Sequence, residues 1–350
     1  MTSTLYVPIL KWKQGEQGAI KEMSSEEKTH LLPLIEILPP STRKETTDQD
    51  HMNKSILAIT NSWGNNPFFL DVMSWYHTVD SDVHPYEVVL NSLRGTTLFP
   101  IFVASLVLDQ NECKILKKLL KKDSEIALRL TVDVLVSNNL EKQINLFLKN
   151  VKKTPDLTHL ILDLQFITPQ QRLLLPREII TIMNELPYAQ DWKSITLAGT
   201  SFPDNLGGLK KNTLTQIPRV AWSVWRILTQ QTDGYQINFA DYGVSGVRPP
   251  IEYEAFMGRS ANIRFTSTNH WLVFKGESLL GKKGFSQYRD LSKELISNEA
   301  YLGKDFSWGD LFIFKCATEE DSQTGNQTTW RKVGTSHHIA FVLQQLANLP

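Results

Sequence analysis

The chain has 350 residues, of which 41% are hydrophobic, with 37 basic side chains set against 37 acidic ones. That length suits one large α/β domain with additions, and the apolar fraction suits a substantial core. The balanced charge excludes a chain that is basic throughout, although it leaves room for a local basic patch.

Eight apolar, β-type runs follow one another: YVPILKWK (6–13), LLPLIEIL (31–38), PFFLDVMS (67–74), LFPIFVAS (98–105), EIALRLTVDV (125–134), HLILDLQF (159–166), SITLAGTSF (194–202) and QINFADYG (236–243). Most are separated by segments long enough for a crossover helix, among them 17–28, 86–93, 112–121, 140–151 and 177–186. In 112–121 the apolar residues Ile115, Leu116, Leu119 and Leu120 have helical spacing. Strands alternating with helices predict parallel βαβ units, and eight such units predict a closed (β/α)8 TIM-like barrel over residues 1–250. No GxGxxG follows a strand, which weakens a dinucleotide-binding reading.

Residues 251–350 are expected to form an appended α+β subdomain packed on the barrel. NIRFTSTNHWLVFKG (262–276) alternates as strands do, GFSQYRDLSKELI (284–296) reads as a helix, and FSWGDLFIFKCA (306–317) reads as a further strand. The chain closes with a helix in GTSHHIAFVLQQLANL, for which Ser336 is an N-cap candidate. His337 and His338 are neighbours there and diverge by ~100° on a helix, so they cannot readily share one metal; a helix-start role with one packed ring is expected. Trp271, Trp308 and Trp330, near Arg264, Lys275 and Arg331, are candidates for stacking nucleic-acid bases, with core packing the commoner use of such residues.

Cys113 and Cys316 are far apart and fit no metal spacing, so free thiols in a reducing cytosol are expected. No run approaches the ~18 apolar residues of a membrane span, and charges follow the first apolar residues at once. A cytoplasmic location without membrane contact is the expectation.

The chemistry is carried by polar residues late in the strands. Asp163 and Gln165 interrupt an otherwise aliphatic run, and a buried carboxylate is costly unless it is paired or hydrogen-bonded. Taking the parity that puts these residues inward gives Lys11 and Lys13 on the first strand, Glu36 on the second and Asp71 on the third. The fifth supplies Arg129 and Asp133, the sixth Asp163 and Gln165, the seventh Gly199 and Ser201, and the eighth Asp241. Barrel enzymes place their chemistry at these C-terminal strand ends. Lys11, Glu36, Asp71, Arg129, Asp163 and Asp241 are therefore the candidate catalytic residues. Lys13, Gln165, Gly199, Thr200, Ser201 and Tyr242 are candidates for substrate binding, with 199–201 a phosphate-type loop.

Facing carboxyl groups with cations to split their acidities suit hydrolysis of a glycosidic bond. No histidine lies late in a strand, so a metal phosphodiesterase would rest on oxygen ligands, with magnesium the natural ion; no cofactor is demanded. A Schiff base on Lys11 is a third chemistry, weakened by the equal placement of Lys13.

The segments VPILKWKQGE, PLIEILP, FFLDV, LRL, LILDL, LAGTSFP, IPR and ADYG, with WLVFKG, FSQY, FSWGD, TTWR and VGTSHH in the tail, resemble the "Beta" protein family over nearly the whole chain. That family is named for a protein of T-even phages and is widespread in bacteria, often near anti-phage defence genes. The resemblance implies a defence setting and assigns neither a reaction nor catalytic residues. Two functions remain open. One is a hydrolase of nucleotides or nucleic acid working at the barrel mouth. The other is a non-catalytic recognition or scaffold component that binds nucleic acid, a phage component or another defence protein.

Overall fold

A computed structural model describes residues 5–40, 46–76, 83–135, 139–232, 236–248 and 259–349. Its strands are β1 (Tyr6–Leu10), β2 (Leu34–Glu36), β3 (Phe69–Asp71), β4 (Ile101–Ala104), β5 (Ile126–Thr131), β6 (Thr158–Phe166), β7 (Ser194–Thr200), β8 (Thr213–Pro218), β9 (Ile237–Asp241), β10 (Ser260–Thr266) and β11 (His270–Ser278). Eight of them close a parallel barrel in the order β1-β2-β3-β4-β5-β6-β7-β9, as the sequence predicts. Closure comes from β9 pairing back onto β1, with Tyr6 opposite Phe239, Val7 opposite Ala240 and Pro8 opposite Asp241.

These strands are apolar without alternation because both faces are covered, one by the barrel interior and one by helices. Every residue of β1, β2, β3, β4 and β9 is buried. The crossover helices form for local reasons. Asp109 caps the helix Gln110–Leu119, with its carboxylate accepting the Glu112 amide at 2.8 Å and the Glu112 carboxylate accepting the Asp109 amide at 2.7 Å. The helix Leu140–Val151 buries Ile144, Phe147, Leu148 and Val151 and stops at Lys152, whose φ of 54° ends the helical run.

The residues divide into two compact units. The first comprises Met1–Trp12, Leu31–Thr200 and Val220–Tyr242, and so holds the barrel strands. The second comprises Lys13–His30, Ser201–Arg219 and Gly243–Pro350. Its antiparallel sheet has the order β10-β11-β8, and Ala261, Ile263, Phe265, Leu272, Phe274, Tyr288 and Ile313 lie in its core.

The tail departs from expectation at two places. Residues 308–318 form a helix, Trp308–Thr318, instead of a strand: Gly309, Asp310, Ile313, Cys316 and Ala317 are its buried residues, a 3.6-residue spacing, and Ser307 caps it through the Asp310 amide. The last helix begins at Gln327 behind an Asn326 cap, so Ser336, His337 and His338 lie on its buried stretch and not at its start. On β5 the strand ends at Thr131, and Asp133 sits in the helical turn Val132–Leu135. Among the described residues no helix is long and apolar enough to cross a membrane.

Candidate functional site at the barrel mouth

The strand ends deliver five charged side chains and one phenol to a single network. Glu36 and Asp71 close β2 and β3 and are register partners. Arg129 lies on β5, Asp163 on β6, Lys11 directly after β1, and Tyr242 directly after β9.

Arg129 is the hub. Its Nε donates to Asp163 Oδ2 at 3.0 Å, and its Nη2 donates to the same oxygen at 2.7 Å and to the Tyr242 hydroxyl at 2.8 Å. Its Nη1 donates to Glu36 Oε1 and to Asp71 Oδ2, each at 2.7 Å. A guanidinium has five N–H donors, and here each one has an acceptor. Lys11 Nζ adds a bond to Glu36 Oε2 at 3.1 Å and stands 5.4 Å from the centre of the Tyr242 ring. Arg129 is the least covered of the charged members, and its side chain is only 14% exposed; Asp163 is wholly buried.

Backbone geometry secures two of the carboxylates. Asp71 Oδ1 accepts the Met73 amide at 2.8 Å, and Asp163 Oδ1 accepts the Gln165 amide at 2.9 Å. The same two-residue reach recurs because each aspartate stands where its strand ends or bulges. On β6 the register shifts between Asp163 and Phe166, and Gln165 has a φ of 55°. That bulge aims the Gln165 amide at Asp163, so Gln165 serves the network through its backbone. The Asp163 carboxylate thus accepts four hydrogen bonds, counting one of 2.6 Å from the Tyr242 hydroxyl.

Electrostatics set the carboxyl groups apart. Burial pushes the Glu36 carboxyl up, but Lys11 and Arg129 outweigh it and hold the group below the ordinary glutamate range. Burial raises the Asp71 carboxyl, Arg129 opposes this and the nearby Glu36 charge adds to it, leaving Asp71 above its ordinary range. Burial would also lower Arg129, yet Tyr242 and the three carboxylates hold it well above the usual arginine value. The Tyr242 phenol is raised by burial and by Asp163.

Of the predicted catalytic residues, the network unites Lys11, Glu36, Asp71, Arg129 and Asp163. Asp241 belongs elsewhere. Asp163 pairs with Ala198 and Ala198 with Ala240, which makes Ala240 and Tyr242 the inward parity of β9. Asp241 therefore lies on the helix-facing side, where it accepts the Tyr6 hydroxyl at 2.7 Å. The same register inverts β7, whose inward residues are Thr196, Ala198 and Thr200. Gly199 faces outward against Ile167, and a Cβ there would come within 2.7 Å of Ile167 Cδ1. Thr200 is buried at the strand end, with its carbonyl accepting the Ile167 amide at 2.7 Å. In the second unit Ser201 donates to the Pro218 carbonyl at 2.5 Å. Lys13, also in the second unit, is exposed at the N-cap of the helix Gln14–Lys21. Tyr242, a candidate for substrate binding, is an inner member of the network, its hydroxyl held between Arg129 and Asp163.

The tail candidates are accounted for within the second unit. His337 bonds Asp310 through Nδ1 at 2.9 Å and the Thr266 carbonyl through Nε2 at 2.8 Å, and His338 bonds the Thr266 hydroxyl at 2.8 Å. Trp271 and Trp330 are core residues, and Trp308 stacks on Phe312 with Lys332 Nζ 3.6 Å from its ring centre. None of the three offers a bare stacking platform. Among the described residues no three His, Cys, Asp or Glu side chains are grouped to hold a metal. Arg129 stands where the three mouth carboxylates converge.

The chain is similar to Protein beta of Enterobacteria phage P4, with 23% identity over 349 residues that cover 95% of this chain and 91% of that relative. The phage of this relative is thus P4, where the resemblance in the motifs pointed to T-even phages. No solved structure matches the chain significantly. The family model described as Beta protein matches residues 6–344, nearly the whole length that carries the barrel, its charge network and the second unit. On that match, the chain belongs to the Beta protein family.

Proposed function

We propose that the protein is a non-catalytic recognition component working between phage and bacterium, in which the charge network locks the barrel mouth. The observation that carries this reading is the saturation of Arg129: all five donors are engaged, so no N–H is left for a substrate phosphate. Freeing one would break a charge-assisted bond worth about 1.5–3 kcal/mol. Glu36, Asp71 and Asp163 are equally committed. The likeness to a phage protein, and the resemblance to a family met near anti-phage defence genes, support the setting. Nucleic acid or a phage component is the partner class that suits it.

One observation favours a second reading, a hydrolase. Glu36 Oε1 and Asp71 Oδ2 both lie 2.7 Å from Arg129 Nη1, so they are separated by no more than twice that distance. Retaining glycosidases hold their carboxyl groups about 5–5.5 Å apart. The opposite directions of the two acidities suit Asp71 as acid and Glu36 as base or nucleophile. Lys11 and Arg129 would then tune the pair, acting on a glycosidic or phosphodiester bond of a nucleotide or nucleic acid.

The test is product analysis by liquid chromatography and mass spectrometry. The full chain is incubated with nucleotides and with single- and double-stranded oligonucleotides, with and without magnesium, beside Glu36→Gln and Asp71→Asn. The recognition reading expects no turnover by any of the three. Product made by the parent chain and lost in Asp71→Asn at an unchanged melting temperature would overturn it in favour of the hydrolase.

A further inference from the structure

Within the second unit, three separate segments arrive at one end of the sheet. β8 begins at Thr213, β11 ends at Ser278 and β10 begins at Ser260. Because both pairings are antiparallel, the three points lie toward the same end of the sheet, with Ser260 opposite Ser278 and Thr213 opposite Lys275. Asn212 ties two of the segments, its amide N–H donating to the Lys275 carbonyl at 2.7 Å and its side chain to Glu277 Oε1 at 3.1 Å. The Leu279 amide bonds the Arg259 carbonyl at 2.7 Å and brings in the third.

Lys210 and Lys211 lead into β8, and Lys282 and Lys283 leave β11; all four are exposed. Lys283 faces Asp290 at 3.7 Å, an exposed pair of little strength. Among the described residues no carboxylate lies within ion-pair distance of Lys210, Lys211 or Lys282. Beneath them, Lys275 Nζ is held by backbone alone, donating to the carbonyls of Leu206 and Leu209 at 2.6 Å and of Gly207 at 3.3 Å. Burial, with a smaller contribution from the charge of Lys211, keeps the Lys275 ammonium below the ordinary lysine range. Leu280 is 73% exposed in the same turn and Phe285 is 40% exposed just after it. In a chain with 37 charges of each sign, this is a local excess and not a general one.

We propose that this end of the sheet binds single-stranded nucleic acid, with Lys210, Lys211, Lys282 and Lys283 on the phosphates and Phe285 stacked on a base. Clustered cations beside an exposed ring are the chemistry of such surfaces, in which charge supplies affinity and the ring accepts any base. The inference names a partner for the recognition reading above and rests on it. Membrane insertion draws on a broad apolar face as well as charge, and here two exposed apolar side chains, Leu280 and Phe285, stand beside four lysines, a balance weighted toward charge that favours a nucleic-acid strand over an anionic membrane.

The experiment measures fluorescence anisotropy of a labelled oligothymidylate of about 20 nucleotides, long enough for such a surface, titrated with the full chain at rising salt. The expected slope of log K against log salt is about −3, the value for four phosphates of a single strand. The combined variant Lys210→Glu, Lys211→Glu, Lys282→Glu and Lys283→Glu should lose at least about tenfold in affinity and most of that slope. Its melting temperature should hold, since all four side chains are exposed. Phe285→Ala should weaken the single strand severalfold and leave a duplex of the same length unaffected. The proposal is overturned if the parent chain does not bind at low salt, or if the folded quadruple variant binds as well as the parent. Binding to phosphatidylserine vesicles without binding to the oligonucleotide also overturns it, in favour of a membrane surface. Turnover at the barrel with lysine-dependent binding intact would sink the recognition reading alone.

Discussion

Replacing Arg129 by methionine keeps roughly its length and removes the charge that joins Glu36, Asp71 and Asp163. Each carboxylate retains something: Glu36 keeps Lys11, Asp71 keeps the Met73 amide, and Asp163 keeps Tyr242 and the Gln165 amide. What is lost is the charge balance of a buried cluster, three carboxylates then facing Lys11 alone. Removing one partner from a buried ion pair costs about 3–5 kcal/mol, and that figure is a lower bound for a hub. A domain of this size loses about 2–4 °C per kcal/mol, so the melting temperature at pH 7.5 should fall by about 10 °C or more. The loss should depend on pH. Without Arg129, burial and mutual repulsion raise the folded carboxyl groups above their unfolded values of about 4. Groups raised in this way contribute stability at low pH and lose it as pH rises through their folded values. The gap between Arg129→Met and the parent chain should therefore narrow at pH 5 and widen toward pH 8. Thermal melts followed by circular dichroism at both ends of that range decide the matter. A gap that is constant with pH, or smaller than about 1 kcal/mol, would refute the hub.

Glu36→Gln and Asp71→Asn should behave oppositely. Glu36 is held below its ordinary range, so it contributes stability above the unfolded value that is lost as pH falls; its removal should cost about 2 kcal/mol at neutral pH and little in acid, read by urea melts. Asp71 is held above its range, so Asp71→Asn should stay within about 1 kcal/mol of the parent at pH 7 or gain slightly, by the same assay. Asp163→Asn trades an acceptor of four hydrogen bonds for a neutral amide and should lose about 2–3 kcal/mol, checked by calorimetry; an unchanged melting temperature would return Asp163 to the list of reacting groups. Gly199→Ala forces a methyl to within 2.7 Å of Ile167 and should cost about 1–3 kcal/mol in the same calorimetric scan.

The barrel was legible because its physics is repetitive. A parallel strand covered on both faces needs an unbroken apolar run, and a crossover helix needs a polar, periodic stretch behind it, so each unit announces itself locally. Polar residues at the ends of those runs were visible for the same reason: Glu36, Asp71, Arg129 and Asp163 stand out against aliphatic neighbours. The tail was less readable. LFIFKCA is apolar on nearly every side, so a strand and a buried helix fit it equally until Ser307 is seen capping the Asp310 amide. β8 went unnoticed because TLTQIP is largely exposed and reads as loop until β11 pairs with it.

What the sequence could not carry is which way a doubly covered strand points. When both faces are apolar, alternation vanishes and parity has no local marker. The inward faces of β7 and β9 follow from a register handed around the closed sheet through Asp163, Ala198 and Ala240, which exchanges Asp241 for Tyr242 and turns Gly199 outward. The saturation of Arg129 is likewise a property of closure. Residues 11, 36, 71, 129, 163 and 242 are spread over most of the first unit, and only a sheet that joins its last strand to its first sets their side chains around one guanidinium.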